Sequence, residues 1–133
     1  MFLCAVVVLY GVEEIVRRMP LQLSKRMQGF YVESIHELEK STEPGAIIGS
    51  TGGGVIAYFI EDRTVVNMDG LMNTVEYFHL LQQGQASQYL DRIGLDYVSA
   101  SELVVTDSDP YFQFKGRLKK VKDFGGATLF RWV

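Results

Sequence analysis

The stretch that most constrains this chain is Ala46 to Asn67, where two apolar runs flank a triple glycine and a short apolar piece. Ala46-Ile47-Ile48-Gly49 reads as a buried strand and Thr64-Val65-Val66-Asn67 as a second one. Ser50-Thr51-Gly52-Gly53-Gly54 is turn chemistry, and Val55 to Ile60 predicts one short helix. Strand, helix and strand in that order predict parallel pairing, because parallel strands need a crossover between them.

The flanking segments extend this pattern. Leu23, Met27, Phe30, Tyr31, Ile35 and Leu38 share one face of an amphipathic helix, which Ser41 to Gly45 ends. After the second strand, Asn73 is placed to cap a helix, with Glu76 at capping-box spacing. Val75, Phe78 and Gln82 form its stripe and Gly84 its stop. A following helix turns Ala86, Tyr89, Leu90 and Ile93 inward and stops at Gly94. Leu95 to Val98 reads as a third strand, Ser101 to Thr106 as a short apolar piece and Asp107 to Pro110 as a turn. Tyr111 to Phe114 fits a strand or a helical turn. Leu118 and Val121, the turn Phe124-Gly125-Gly126, and Ala127 to Val133 predict a hairpin. The fold class expected is α/β. It has a small mixed sheet, parallel at first with an antiparallel C-terminal hairpin, helices packed on it, and an apolar membrane-type segment ahead of it.

Length and composition fit that size. The chain has 133 residues, 22% charged and 47% hydrophobic, which suits one globular domain. Lys plus Arg is 13 and Asp plus Glu is 16, so the net charge is −3, without the basic footprint of a nucleic-acid partner. The single cysteine, Cys4, excludes an internal disulfide and an all-cysteine zinc site. The apolar residues are unevenly spread. Residues 1–10 are all apolar, and Gly11 and Val12 extend the run to Glu13 and Glu14. A span needs about 20 such residues, and a signal peptide needs a basic start that is absent here. The run reads as the tail of a membrane helix that begins further upstream, a buried element, or an interfacial anchor. The organisation expected is 1–20 as the end of a membrane or anchoring segment plus linker, and 21–133 as a single α/β domain. Residues 1–12 are then the contact with the membrane.

Two segments carry candidate chemistry. Gly52, Gly53 and Gly54, followed by Ala57, match G-x-G-x-x-A after a strand, and Asp69 follows the next strand. In a dinucleotide site such glycines let the backbone approach pyrophosphate, and the acidic residue binds ribose. A small nucleotide-binding module is therefore one reading. The second segment is Asn67-Met68-Asp69-Gly70-Leu71-Met72-Asn73, at the C-terminal end of a strand. Asn67, Asp69 and Asn73 suit hydrogen bonds to sugar hydroxyls or to a hydrated cation. Equally, Asp69-Gly70 suits a self-contained Asx-type turn with Asn73 as a cap. His36 and His79 are isolated on helices, and no catalytic or metal-ligating set is legible. No catalytic residue, metal or cofactor is expected. Tyr58, Tyr97 and Tyr111 read as core or rim aromatics.

Residues Ala46 to Phe59, ending Tyr58-Phe59, together with Thr64 to Asn73, look like the C-terminal extracytoplasmic domain of GT-C-type membrane glycosyltransferases. Those enzymes resemble the polyprenyl-phosphate-sugar-dependent mannosyltransferases. The likeness rests on a valine-rich strand, Asn67, Met68, then Asp69-Gly70-Leu71-Met72-Asn73, and it continues through Asp96-Tyr97-Val98. The resemblance implies a non-catalytic domain, since the family's catalytic carboxylate lies in an early loop between membrane helices. It implies that Asn67, Asp69, Gly70, Asn73 and Tyr58 border a lipid-linked sugar or glycan acceptor, with Gly52 to Gly54 as a backbone turn. It also implies membrane association with the domain outside the cytoplasm. Arg17 and Arg18 favour the alternative, a cytoplasmic domain. A third reading is a structural interaction domain without a ligand.

Overall fold

The computed structural model describes residues 33–70, 73–124 and 126–133. The apolar run, Cys4, Arg17, Arg18 and the helical positions from Leu23 to Tyr31 lie outside them. Among the described residues no helix is long and apolar enough to cross a membrane.

Five strands form one sheet in the order β2-β1-β3-β5-β4. They are β1 Ile47–Ser50, β2 Thr64–Asn67, β3 Tyr97–Ala100, β4 Leu118–Asp123 and β5 Thr128–Trp132. β1 pairs in parallel with β2 and β3, and β5 pairs antiparallel with β3 and β4. The expected change from parallel to antiparallel is therefore observed, and the domain is a small mixed α/β fold. The helices are α1 (33–41), α2 Gly54–Phe59, α3 Val75–Gln82, α4 Ala86–Arg92 and α5 Glu102–Asp107, with a 3-10 helix at Tyr111–Arg117.

Alternation along the strands supplies two cores. Val98, Phe130 and Trp132 face α3 and α4, and bury Tyr77, Leu81 and Leu90 with Met68 and Phe114. Ile48, Tyr97 and Leu129 face the other way and bury Leu38 of α1, with Ile56 and Ile60 packed against them.

Several local expectations shift. The third strand begins at Tyr97 rather than Leu95. The Asp96 carboxylate accepts the Ile47 N–H at 2.9 Å, taking a ladder bond into a side chain before β3 proper starts. The helix after β2 is capped by Thr74, not Asn73, and Thr74 Oγ1 accepts the Tyr77 N–H at 3.1 Å. Its buried stripe is Tyr77 and Leu81, whereas Val75 is 72% exposed. The Tyr77 hydroxyl explains the rotation, because it donates to the Met68 carbonyl at 3.0 Å and can be buried only in that orientation. Glu102 to Thr106 belongs to α5, with Ser101 at its N-cap, and Tyr111 opens the 3-10 helix. Ala86 and Leu90 turn inward as expected.

Candidate functional site

The Asn67–Asn73 loop leaves the C-terminal end of β2 and is organised around Asp69. Asn67 Oδ1 accepts the Asp69 N–H at 2.9 Å, so the Asx turn belongs to Asn67 and not to Asp69. The Asp69 carboxylate is then free to bind elsewhere in the fold. One oxygen accepts the Gly52 N–H at 2.7 Å and the other accepts the Tyr111 hydroxyl at 2.8 Å. Asn73 closes the loop by donating from Nδ2 to the Asn67 carbonyl at 2.8 Å. Its Oδ1 accepts from Thr74 N–H and from the Tyr89 hydroxyl. Gly70 is buried, with φ +78, and a Cβ there would stand 3.1 Å from Phe78. The backbone conformation and the neighbour both require glycine.

Asn67, Asp69, Gly70 and Asn73 are therefore brought together, but they bond chiefly to one another and to the frame. Tyr58 is elsewhere. It sits on α2 at 82% exposure, against the expectation of a core or rim position, with its ring edge-on to Phe59 at 4.9 Å. The glycine turn departs from a phosphate cradle. Gly52 N–H is taken by Asp69, and Gly54 N–H donates to the Gly52 carbonyl at 2.9 Å. The chain's own carboxylate stands on the turn where a pyrophosphate would have to bind, and α2 has only six residues to supply a dipole. The acidic residue that the dinucleotide reading assigned to ribose is thus the group on the turn. His36 and His79 are exposed, and no three His, Cys, Asp or Glu side chains cluster as metal ligands among the described residues.

The residues that complete this network lie far off in sequence. Tyr111 is 42 positions from Asp69, and Tyr89 is 16 from Asn73. No local pattern marks them: Tyr89 stands in the expected apolar stripe of its helix, and Tyr111 stands between Pro110 and Phe112. Burial pushes the Tyr111 hydroxyl up to about 12, helped by the Asp69 carboxylate that accepts from it. Burial also raises the Tyr77 hydroxyl. A tyrosine raised in the folded state stabilises fully below its unfolded value of about 10 and loses that contribution as pH rises through the folded value. The urea midpoint is therefore expected to fall between about pH 10 and 12. In Tyr111→Phe the fall should be shallower, with the Tyr77 part remaining. An unchanged slope in that variant would contradict the assignment.

Fold and site together define a small mixed α/β domain with a polar, internally bonded loop. Residues 19–133 match the family described as "Domain of unknown function (DUF8728)", and the chain belongs to that family. Among solved structures it is similar to the C-terminal globular domain of an oligosaccharyltransferase from Archaeoglobus fulgidus. The identity is 9% and the TM-score 0.45, over 87% of this chain and 99% of that one. No curated protein matches.

Proposed function

We propose that this chain is a non-catalytic, extracytoplasmic domain of a membrane glycosyltransferase that uses lipid-linked sugar donors. The observation that carries the reading is α2. None of its residues is buried, and it holds Tyr58 and Phe59 outward, 82% and 57% exposed, directly after the glycine turn that Asp69 fixes. Exposed aromatics with one polar tip suit a surface that meets lipid headgroups or sugar faces. The sequence likeness of residues 46–99 to the GT-C-type domains supports the same reading. In this arrangement Asn67, Asp69, Gly70 and Asn73 hold the loop and the turn in shape, and Tyr58 makes the contact with donor or acceptor. The membrane is engaged through residues 1–12.

The test is flotation of the full chain with phosphatidylcholine vesicles, with and without polyprenyl-phosphate mannose. The chain should float several-fold more with the lipid-linked sugar. Tyr58→Ser with Phe59→Ser should remove that difference without moving the melting temperature, since both side chains are exposed. Equal flotation on both vesicle types would overturn the proposal and leave an interaction domain without a ligand. The glycine turn predicts no saturable binding of nicotinamide or adenine nucleotides, because its first amide is already occupied.

A further inference from the structure

α2 is the one described helix with no buried residue, and it has only six. A helix of that length does not persist on its own propensity, so the contacts at its two ends set its position. At the C-terminal end Ile56 and Ile60 pack on the second core, and the Glu61 N–H donates to Glu39 of α1 at 3.0 Å. At the N-terminal end Gly53 is buried so closely that a Cβ would stand 3.0 Å from Ser50 Cβ and 3.3 Å from Val65 Cγ1. Gly52, at φ +66, turns its N–H to the Asp69 carboxylate at 2.7 Å. Among the described residues, that is the one hydrogen bond from positions 51–54 to a distant part of the chain.

The 3-10 helix on the other side of Asp69 is held from several directions. Phe114 is fully buried against Trp132 in the first core. Gln113 Nε2 donates to the Leu81 carbonyl at 3.1 Å and to the Pro110 carbonyl at 2.7 Å, and its Oε1 accepts the Ala86 N–H at 3.1 Å. One side chain thus ties the 3-10 helix to the end of α3 and the start of α4. Tyr111 heads this anchored segment and donates its hydroxyl to Asp69 at 2.8 Å. The terminal torsion of an aspartate is soft, and a charge-assisted bond to one oxygen fixes it. With one oxygen held on Tyr111, the other is aimed at Gly52. Order passes from the packed core through Tyr111 and Asp69 to the turn, and from the turn to α2.

We propose that Tyr111 is a positioning residue for the Tyr58–Phe59 surface, acting through Asp69 and the glycine turn to set the direction in which α2 leaves the sheet. The inference rests on the reading of that surface as the contact with a lipid-linked sugar. Tyr111 itself makes no contact with the ligand. Removing its hydroxyl leaves the ring in place, so packing persists while the aim of the carboxylate is lost. Tyr97 supplies the contrast. It is buried, and its hydroxyl also donates to a carboxylate, that of Glu43 at 2.7 Å. Among the described residues neither Tyr97 nor Glu43 bonds to positions 51–54.

Two measurements on the full chain test this. Amide exchange followed by NMR reads α2 directly, at the Ala57 N–H, which donates to the Gly53 carbonyl at 2.8 Å. Tyr111→Phe should speed that exchange at least fivefold, and Tyr97→Phe should leave it within about twofold. Asp69→Ala should speed it as much as Tyr111→Phe does, and adding Tyr111→Phe to Asp69→Ala should change nothing further, because the hydroxyl acts only through the carboxylate. Flotation with polyprenyl-phosphate mannose vesicles reads the contact. Tyr111→Phe should lose at least half of the gain over plain phosphatidylcholine, and Tyr97→Phe should keep it. The two phenylalanine variants decide the matter even if the Asp69→Ala chain does not fold. Unchanged Ala57 exchange in Tyr111→Phe, an equal rise in Tyr97→Phe, or additive effects at positions 69 and 111 would overturn the proposal. So would a full flotation gain in a Tyr111→Phe chain whose Ala57 exchange has risen, since the pose of α2 would then not matter to the contact. If the unaltered chain shows no gain on the lipid-linked sugar, the glycosyltransferase reading falls, and the exchange measurement still decides whether Tyr111 sets α2.

Discussion

Replacing Asp69 with alanine is expected to lower the unfolding free energy by about 2–4 kcal/mol, although the residue lies in a loop. The side chain bridges three parts of the fold: its own loop after β2, the glycine turn after β1 through Gly52, and the 3-10 helix through Tyr111. Hydrogen bonds to charged groups contribute about 1.5–3 kcal/mol each in mutational series, and both here are short. The two donors differ in what they lose. Gly52 is exposed, and its N–H can turn to water. Tyr111 is half-buried, and its hydroxyl loses its acceptor with poorer access to solvent. The larger share of the loss is therefore assigned to Tyr111. Asp69→Asn should cost less, about 1–2 kcal/mol, because the amide oxygen still accepts one donor and the amide nitrogen can donate to the tyrosine oxygen. Urea unfolding followed by the fluorescence of Trp132 measures both variants. It is the chain's single tryptophan, buried against Phe114 with ring centroids 5.7 Å apart. The Tyr111 hydroxyl should also titrate lower in the alanine variant, where burial remains but the carboxylate does not. A loss under about 0.5 kcal/mol would mean that Asp69 is not the bridge, and would return the carboxylate to the pool of ligand-binding groups.

That bridge marks the boundary of what is legible in the sequence. The unit from Ala46 to Asn67 is readable because each part carries its own local cause. β-branched runs make the strands, and the glycines force a turn between them. The helix from Ala86 to its stop at Gly94 is readable for the same reason, through apolar spacing and a terminal glycine. What fails to read is decided by competition between distant polar groups. Asn73 looks like a helix cap, and it would be one if the Asn67 carbonyl did not draw its amide. Thr74 then takes the capping role. Val75 and Phe78 look like the inner stripe by hydrophobicity alone, but the Tyr77 hydroxyl finds the Met68 carbonyl and turns the helix on its axis. Asp69 looks like a ribose ligand next to a glycine fingerprint. In three dimensions the carboxylate and the glycines meet each other, and the fingerprint is spent internally. The polar residues of the candidate site were thus identifiable by position and type, whereas their partners, and so their role as a latch, were not.

The last large effect expected centres on Met68, one residue before that latch, and on the glycine it packs against. Gly49, in the middle of the sheet, pairs with Val66 on one side and Val98 on the other. A Cβ built there would stand 2.5 Å from Met68 Sδ, 3.2 Å from Met68 Cγ and 3.3 Å from Leu95 Cδ1. The first distance is impossible for real atoms, so Gly49→Ala forces Met68 to move. A thioether side chain usually gives way readily, but this one is fully buried among Leu81, Leu90 and Val98. Its backbone is held as well, with the Met68 carbonyl fixed by Tyr77 and its N–H by Ser50. The overpacking should therefore cost about 1–3 kcal/mol. Met68→Ala alone should cost about 2–5 kcal/mol through the cavity it leaves. In the double variant the new methyl enters the space vacated by the thioether, so its loss should fall short of the sum of the two by about 1 kcal/mol or more. Additive losses would show that Gly49 and Met68 do not compete for one volume. A coupled result ties three links together. The missing side chain in β1 lets Met68 seat against the sheet. The seated Met68 sets the start of the loop, and the loop start places the Asp69 carboxylate within reach of both Gly52 and Tyr111.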